Sequence, residues 1–550
     1  MAGSLHRALA DLSSEFLHAT CEFHPHTAVW MGFHEYDGQV PDLSRPALET
    51  RTADLRRFLE ALDRIDPADL GDRAWLDHQV LRHQAAFEVF ALEGWQKWAC
   101  DPFFYLEPVD ASNYVLRSYA PLAQRVEGLI SHLTGFPVIF DAMRENLTQV
   151  PAPVLKTSLR LMRGMVEFLA TDLPQAVADL EDDALRERFE EVNREAVRRT
   201  EGVVDWMEND LAPRATADFA LGPERFGLML HWGEAVDVPL DHLREVADAD
   251  LRRNQTAYRE TAAAIAPGKD PREVAAEGLR DHPAPEALVA ETRQIATDLR
   301  RYVIDSGIVS VPAGEDCIVA ETPSFLRFAF AMMYPPGPFE GKAREAYFYV
   351  TPPQTGWSAE KTEEWMTQFA YHSLRGIAVH EAWPGHHLHV LHMRNAPSKI
   401  TQAFGAYSSY EAWAHYCEEM MLEVGWRAGD PWARLGQLGE ALVRNVRFVC
   451  ALGLHTEGMT VAEAQERFVE DAFMAPATAA EEARRGAGDP QYLNYTLGKL
   501  MLLKLREDVR ARQGDHFDLR AFHDRFLSYG APPVPLVREL MLGRGDREIL

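Results

Sequence analysis

Apolar residues return at every third or fourth position through residues 152–210 of this chain, with Glu and Arg filling the places between. Only an α-helix, at 3.6 residues per turn, gathers such a pattern onto one face. The same spacing occupies 3–24, 50–92, 115–148, 239–266 and 286–305. It returns at 358–380, 400–425, 431–456, 460–472, 491–512 and 518–529. Thr460 and Glu463 form a capping box, in which each side chain satisfies an otherwise orphaned backbone N–H at a helix start. The stretch 307–356 breaks the period: "GIVSVP", "CIVAETP" and "AYFYVTPP" are short β-rich runs bounded by Gly and Pro. The pattern therefore predicts a mainly α fold, a large helical body with one small β-sheet. It reads as a single body over 1–550, with a helical half at 1–306 and a second half at 307–550 that carries the sheet.

Immediately after the β-rich stretch comes "GIAVHEAWPGHHLHV" at 376–390. His380-Glu381 opens like the zinc-binding H-E-x-x-H helix, whose two histidines share a face because they lie one turn apart. Here the second position holds Pro384, which has no N–H and whose ring clashes with the carbonyl four residues back. If Pro384-Gly385 forms a two-residue bulge within the helix, His386 returns to the vacated place. His387, seven residues past His380, is the competing choice if the helix stays regular. Zinc needs a third protein ligand. The next helical segment, "YSSYEAWAHYCEEMMLEVGW", sets Trp413, Tyr416, Cys417 and Met420 on an apolar stripe and Glu411, His415 and Glu418 on another face. Glu411 is the expected ligand; Glu418 reads as an ordinary exposed helix carboxylate. A solvated histidine patch is the bland alternative, disfavoured by a His-Glu pair that follows an apolar helical run.

"HEAWPGHHLHV" together with "SSYEAWAHYCEEM" resembles the paired H-E-x-x-P-G-H-H-L and E-G-W-A-x-Y-x-E motifs of the bacterial "domain of unknown function 885" family, regarded as candidate metallopeptidases. Weaker similarities run from "MGFHEYDGQVPDLS" through "ETPSFLRFAFAMMYPPGPFEG" at 321–341 to "FDLRAFHDRFLSYGAPPVPLV" at 517–537. The chain departs from the family in having Ala412 and His415 in the second motif, and Ala451 where the family has Asp ahead of Gly-x-His455. "GHHLH" is also similar, at a distance, to the end of the zinc helix in the thimet oligopeptidase and neurolysin family. That likeness makes the motif one with two residues inserted, and so implies His380, His386 and Glu411 as ligands. It also implies a mostly helical, deep-cleft peptidase fold.

Under this reading Glu381 is the general base beside the first ligand. "QYLNYTLGKL" resembles the tyrosine-and-glycine stretch that supplies an oxyanion donor in the thimet oligopeptidase family, which points to Tyr495. Tyr492, Arg447 and His387 are candidates for binding substrate, and His455 for steadying the transition state. The expected activity is a Zn2+-dependent hydrolase, a peptidase acting on short peptides. A metal-dependent enzyme cleaving an amide-like bond in another small molecule is the alternative, and a non-enzymatic metal-organised peptide-binding protein is a third reading. A formal net charge of −28 argues against nucleic acid or anionic membrane as partners. No run of eighteen apolar residues occurs, so no membrane span is expected. Five scattered cysteines suit reduced thiols and suggest a cytoplasmic protein.

Overall fold

The computed structural model describes residues 2–314, 316–323, 326–327 and 329–550, with side chains from residue 5 onward. Ser324, Phe325 and Phe328 of the 321–341 stretch lie outside the described residues. The fold is mainly helical with one small sheet, as the periodicity predicts. Its contacts divide into two units, Met1–Leu221 with Pro336–Arg344, and Gly222–Pro335 with Glu345–Leu550.

In the first unit the long 152–210 pattern is realised mainly as two long helices, Ala152–Glu167 and Asp183–Trp206, with short helical segments at Phe168–Asp172, Leu173–Ala176 and Met207–Leu211. Asp182 caps the second by accepting from the Leu185 N–H, and Phe189, Asn193, Ala196, Thr200 and Val203 form its buried stripe. The 336–344 segment returns to this unit, where Glu340 meets His34 at 2.9 Å. His34 in turn stacks on Tyr119 with ring centroids 3.5 Å apart. The "MGFHEYDG" stretch thus holds a strap of chain drawn from between two strands.

The second unit is built round the helix Pro431–Thr456, which is buried on nearly every side and packs against Leu240–Ile265 and Tyr371–Glu381. Its neighbour Tyr407–Glu423 lies along Asn494–Gln513. Gly498 permits that approach, because a Cβ there would sit 2.6 Å from the Ser408 carbonyl oxygen. The capping box at Thr460 and Glu463 forms as expected. The sheet has strand order β1 (Cys317–Glu321), β3 (Ala346–Val350), β2 (Ala331–Tyr334). β1 runs parallel to β3 and β2 antiparallel to it, which leaves β2 at an edge.

One local expectation is corrected. Pro384-Gly385 is not a bulge inside a continuous helix: one helix ends at Glu381 and a new one, His386–Arg394, begins after a four-residue turn. Pro384 removes a donor and pushes its ring at the preceding turn, so the helix stops instead of swelling. The turn stays close to the helix it leaves. The Trp383 N–H bonds to the Ala378 carbonyl and the Gly385 N–H to that of Val379, at 3.2 and 3.0 Å. The Pro384 carbonyl accepts from the Trp413 indole N–H at 2.7 Å. A Cβ on Gly385 would lie 1.9 Å from the His380 carbonyl oxygen, so only glycine fits at that position.

Candidate metal centre

The turn at 382–385 and the opposing helix bring His380, His386 and Glu411 together, with one ligand atom from each within 4.8 Å of the others. The Glu411 Oε2 lies 3.4 Å from His380 Nε2 and 3.6 Å from His386 Nε2. The two imidazoles stand nearly perpendicular, at 87°. Zinc–ligand bonds of about 2.0–2.1 Å in a tetrahedron place neighbouring ligand atoms about 3.3 Å apart, so the two Glu411–histidine separations fit a four-coordinate ion. Glu411 Oε2 is buried and makes no hydrogen bond with the protein. Two nitrogens and a carboxylate oxygen are a donor set suited to zinc.

His380 is oriented from behind. Its Nδ1 lies 2.7 Å from Glu418 Oε1. A carboxylate can only accept, so Nδ1 carries the hydrogen and Nε2 is left to face Glu411. The other oxygen of Glu418 accepts from His415 Nδ1 at 3.1 Å, and Arg444 approaches to 3.4 Å. Burial opposes charge on His380, yet the Glu411 and Glu418 carboxylates raise it to about 10. Burial likewise works against ionising Glu411, but His386 and His380 hold it well below the usual carboxylate range. His415 goes the other way, pushed down to about 4 by burial and by Lys499. The centre thus favours a cation bounded by ionised carboxylates.

Glu381, the last residue of the first helix, accepts the Met333 N–H of edge strand β2 at its Oε2, 2.8 Å away. That bond leaves Oε1 as the atom available for proton transfer. Tyr495 is nearly buried; Arg485 reaches its hydroxyl at 3.5 Å and the Tyr407 hydroxyl at 3.1 Å. Burial, with Glu411 as the next cause, holds the Tyr495 phenol above its ordinary range, so it remains a donor at neutral pH.

The remaining sequence candidates lie in packed surroundings. Tyr492 is fully buried with its hydroxyl against Gly486. Arg447 makes a paired contact with Glu482 at 2.7 and 2.8 Å and lies 5.0 Å over the Tyr495 ring, where it positions that ring. His455 donates from Nε2 to the Gly486 carbonyl at 2.8 Å, and burial pushes it down to about 4. His387 is buried with its ring edge-on to Trp383 at 4.7 Å.

Sequence reasoning took Glu418 for an exposed carboxylate, whereas it is 4% exposed and holds His380. The available signal was its place two turns past Glu411, on the same face. Tyr407, one turn before Glu411, could have been found the same way. Arg444 and Arg485 come from other helices, and no spacing rule reaches them.

Two solved chains share this fold across nearly their whole length. One, from Shewanella oneidensis, is 23% identical with a TM-score of 0.81, covering 97% of this chain and 99% of that one. The other, from Colwellia psychrerythraea, is 17% identical with a TM-score of 0.80, covering 97% and 98%. Each is described as a putative lipoprotein, and that description overturns the cytoplasmic assignment, since lipoproteins are held at a membrane by a lipid anchor. The cysteines were weak ground for it: Cys21, Cys417 and Cys450 are buried and unbridged, which packing explains in any compartment. No described helix is long and apolar enough to cross a membrane. No curated protein matches the sequence. The sequence profile of a family described as bacterial proteins of unknown function, DUF885, matches residues 25–541, and the chain belongs to that family.

Proposed function

We propose that this protein is a zinc-dependent hydrolase, a peptidase cleaving short peptides at the His380–His386–Glu411 centre. The observation that carries this reading is the convergence of three donor atoms within 4.8 Å of one another, with Glu381 directly following the ligand His380 in the chain. Zinc held there would supply Lewis acidity toward a carbonyl and activate water near neutral pH. Glu381 takes a proton from the attacking water at Oε1, while the Met333 N–H keeps Oε2 in place. It then returns that proton to the leaving nitrogen, which would otherwise depart as an unstable amide anion. Tyr495 donates its hydroxyl hydrogen to the oxyanion that develops on the carbonyl oxygen. Strand β2 lies at an edge of the sheet and touches Glu381 through the Met333 N–H, and an extended peptide adding along such an edge favours a peptide over other amides.

The test pairs two isosteric substitutions with zinc analysis and digestion of a peptide library. Glu381→Gln is expected to keep zinc at close to one per chain and lose turnover. Glu411→Gln is expected to lose zinc, because a neutral amide is a poor ligand. Full zinc in Glu411→Gln, or wild-type cleavage by Glu381→Gln, would overturn the assignment.

A further inference from the structure

A cavity of about 370 Å3 opens behind the metal-site turn, between the helix Leu288–Ser306, strand β1 and Trp383. Its base is apolar, made by Ala296, Val319 and the indole of Trp383, all nearly buried. Its rim is cationic: among the described residues, Arg293, Arg300 and Arg301 line it with one carboxylate, Asp316. In a chain with a formal charge of −28, three guanidinium groups round one hollow are a local reversal of sign.

These arginines are held in place without being used up. Arg293 gives one N–H to the Val319 carbonyl at 3.0 Å, which fastens its stem against β1. The Arg300 guanidinium lies 5.6 Å over the Trp383 ring, within cation–π range. Its Nε comes within 2.9 Å of Asp316 Oδ1 without making a hydrogen bond, and among the described residues that Nε has no hydrogen-bond partner. The pair is also substantially exposed, at 41% and 72%. Water screens such a contact, so it is weak and yields readily to a better acceptor. Among the described residues Arg301 reaches only Asp298, at 3.8 Å and in solvent. The terminal nitrogens of Arg300 therefore present a planar fork above an aromatic wall. That geometry matches a carboxylate accepted bidentately, with an apolar body laid on the indole.

We propose that this cavity binds a small organic carboxylate, its carboxylate taken by Arg300 with Arg293 and Arg301, and its apolar body packed on Trp383, Ala296 and Val319. The site is separate from the zinc centre and stands whether or not the peptidase reading holds.

Calorimetric titration of the intact protein with benzoate, and separately with inorganic phosphate, tests it. Benzoate should bind at one site per chain, and phosphate more weakly because it has no apolar body. Arg300→Ala should weaken benzoate binding at least tenfold. Arg300→Lys, which keeps the charge and loses the fork, should fall between the two. Arg188→Ala, an exposed arginine of the other unit, should bind as wild type does. Thermal melting of each variant confirms that it is folded, and Arg300→Lys serves if the alanine variant is not. Unchanged benzoate affinity in Arg300→Ala overturns the proposal. So does binding abolished by zinc chelation alone, which would place the anion on the metal. Phosphate binding more tightly than benzoate would overturn the assigned ligand class.

Discussion

Glu418→Gln isolates what the carboxylate behind His380 does. In the wild type Glu418 accepts from His380 Nδ1 at 2.7 Å and from His415 Nδ1 at 3.1 Å, with Arg444 at 3.4 Å. Glutamine keeps the shape but brings an NH2 where one of those acceptors stood. One of the two imidazole N–H groups then faces a donor, and His380 is released to turn or to change tautomer. Partners of this kind typically contribute ten- to a hundredfold in metal affinity, about 1.4–2.7 kcal/mol. A hydrogen bond to a charged group is worth about 1.5–3 kcal/mol, so the two figures agree. Stability falls as well, though Arg444 still has Glu440 at 2.7 Å and is not left without a carboxylate. Competition against a chromophoric chelator measures zinc affinity directly, and chemical denaturation of the same preparation measures stability. Wild-type zinc affinity in a folded Glu418→Gln protein would refute the claim that Glu418 orients the ligand.

Three further outcomes follow from the geometry. Gly385→Ala drives a Cβ to within 1.9 Å of the His380 oxygen, and should cost about 1–3 kcal/mol and loosen zinc; Gly164→Ala, in open space on the helix Ala152–Glu167, should stabilise by about 0.5–1 kcal/mol in the same melts. Tyr495→Phe should lower kcat about a hundred- to a thousandfold with KM little changed, whereas lowered melting at normal kcat would mark Tyr495 as a packing residue only. Glu234, buried where it accepts from the Ser408 N–H and Asn494, is pushed up to about 7 by burial. Its folded value is above its unfolded one, so the stability it contributes is complete below about pH 4.5 and is lost as pH rises through about 7. That loss is roughly 3 kcal/mol. Glu234→Gln should flatten denaturation midpoints across that window, with the Asn494 amide turning to accept from the new NH2; an unaltered slope would show that Glu234 does not titrate there.

The sequence by itself determined the mainly helical class, the position of the small sheet and the capping box at Thr460. It also singled out three residues whose ligand atoms come within 4.8 Å of one another. The class, the sheet and the cap rest on local chemistry, a 3.6-residue period, β-rich runs bounded by Gly and Pro and paired capping side chains, whereas the three ligands rest on motif spacing and the family resemblance. Tertiary structure decided the rest. It fixed the turn that follows the break at Pro384, because the Trp413 indole donates to the Pro384 carbonyl. It buried Glu418, because helix Pro431–Thr456 brings Arg444 to that carboxylate. It enclosed Tyr492 and His455 round the Gly486 backbone, where the sequence suggested residues that meet a substrate. It also drew Arg293, Arg300 and Trp383 round one cavity, although they lie on segments some eighty residues apart. Spacing along a chain shows which residues share a helix face, but which second helix meets that face depends on how the whole core packs.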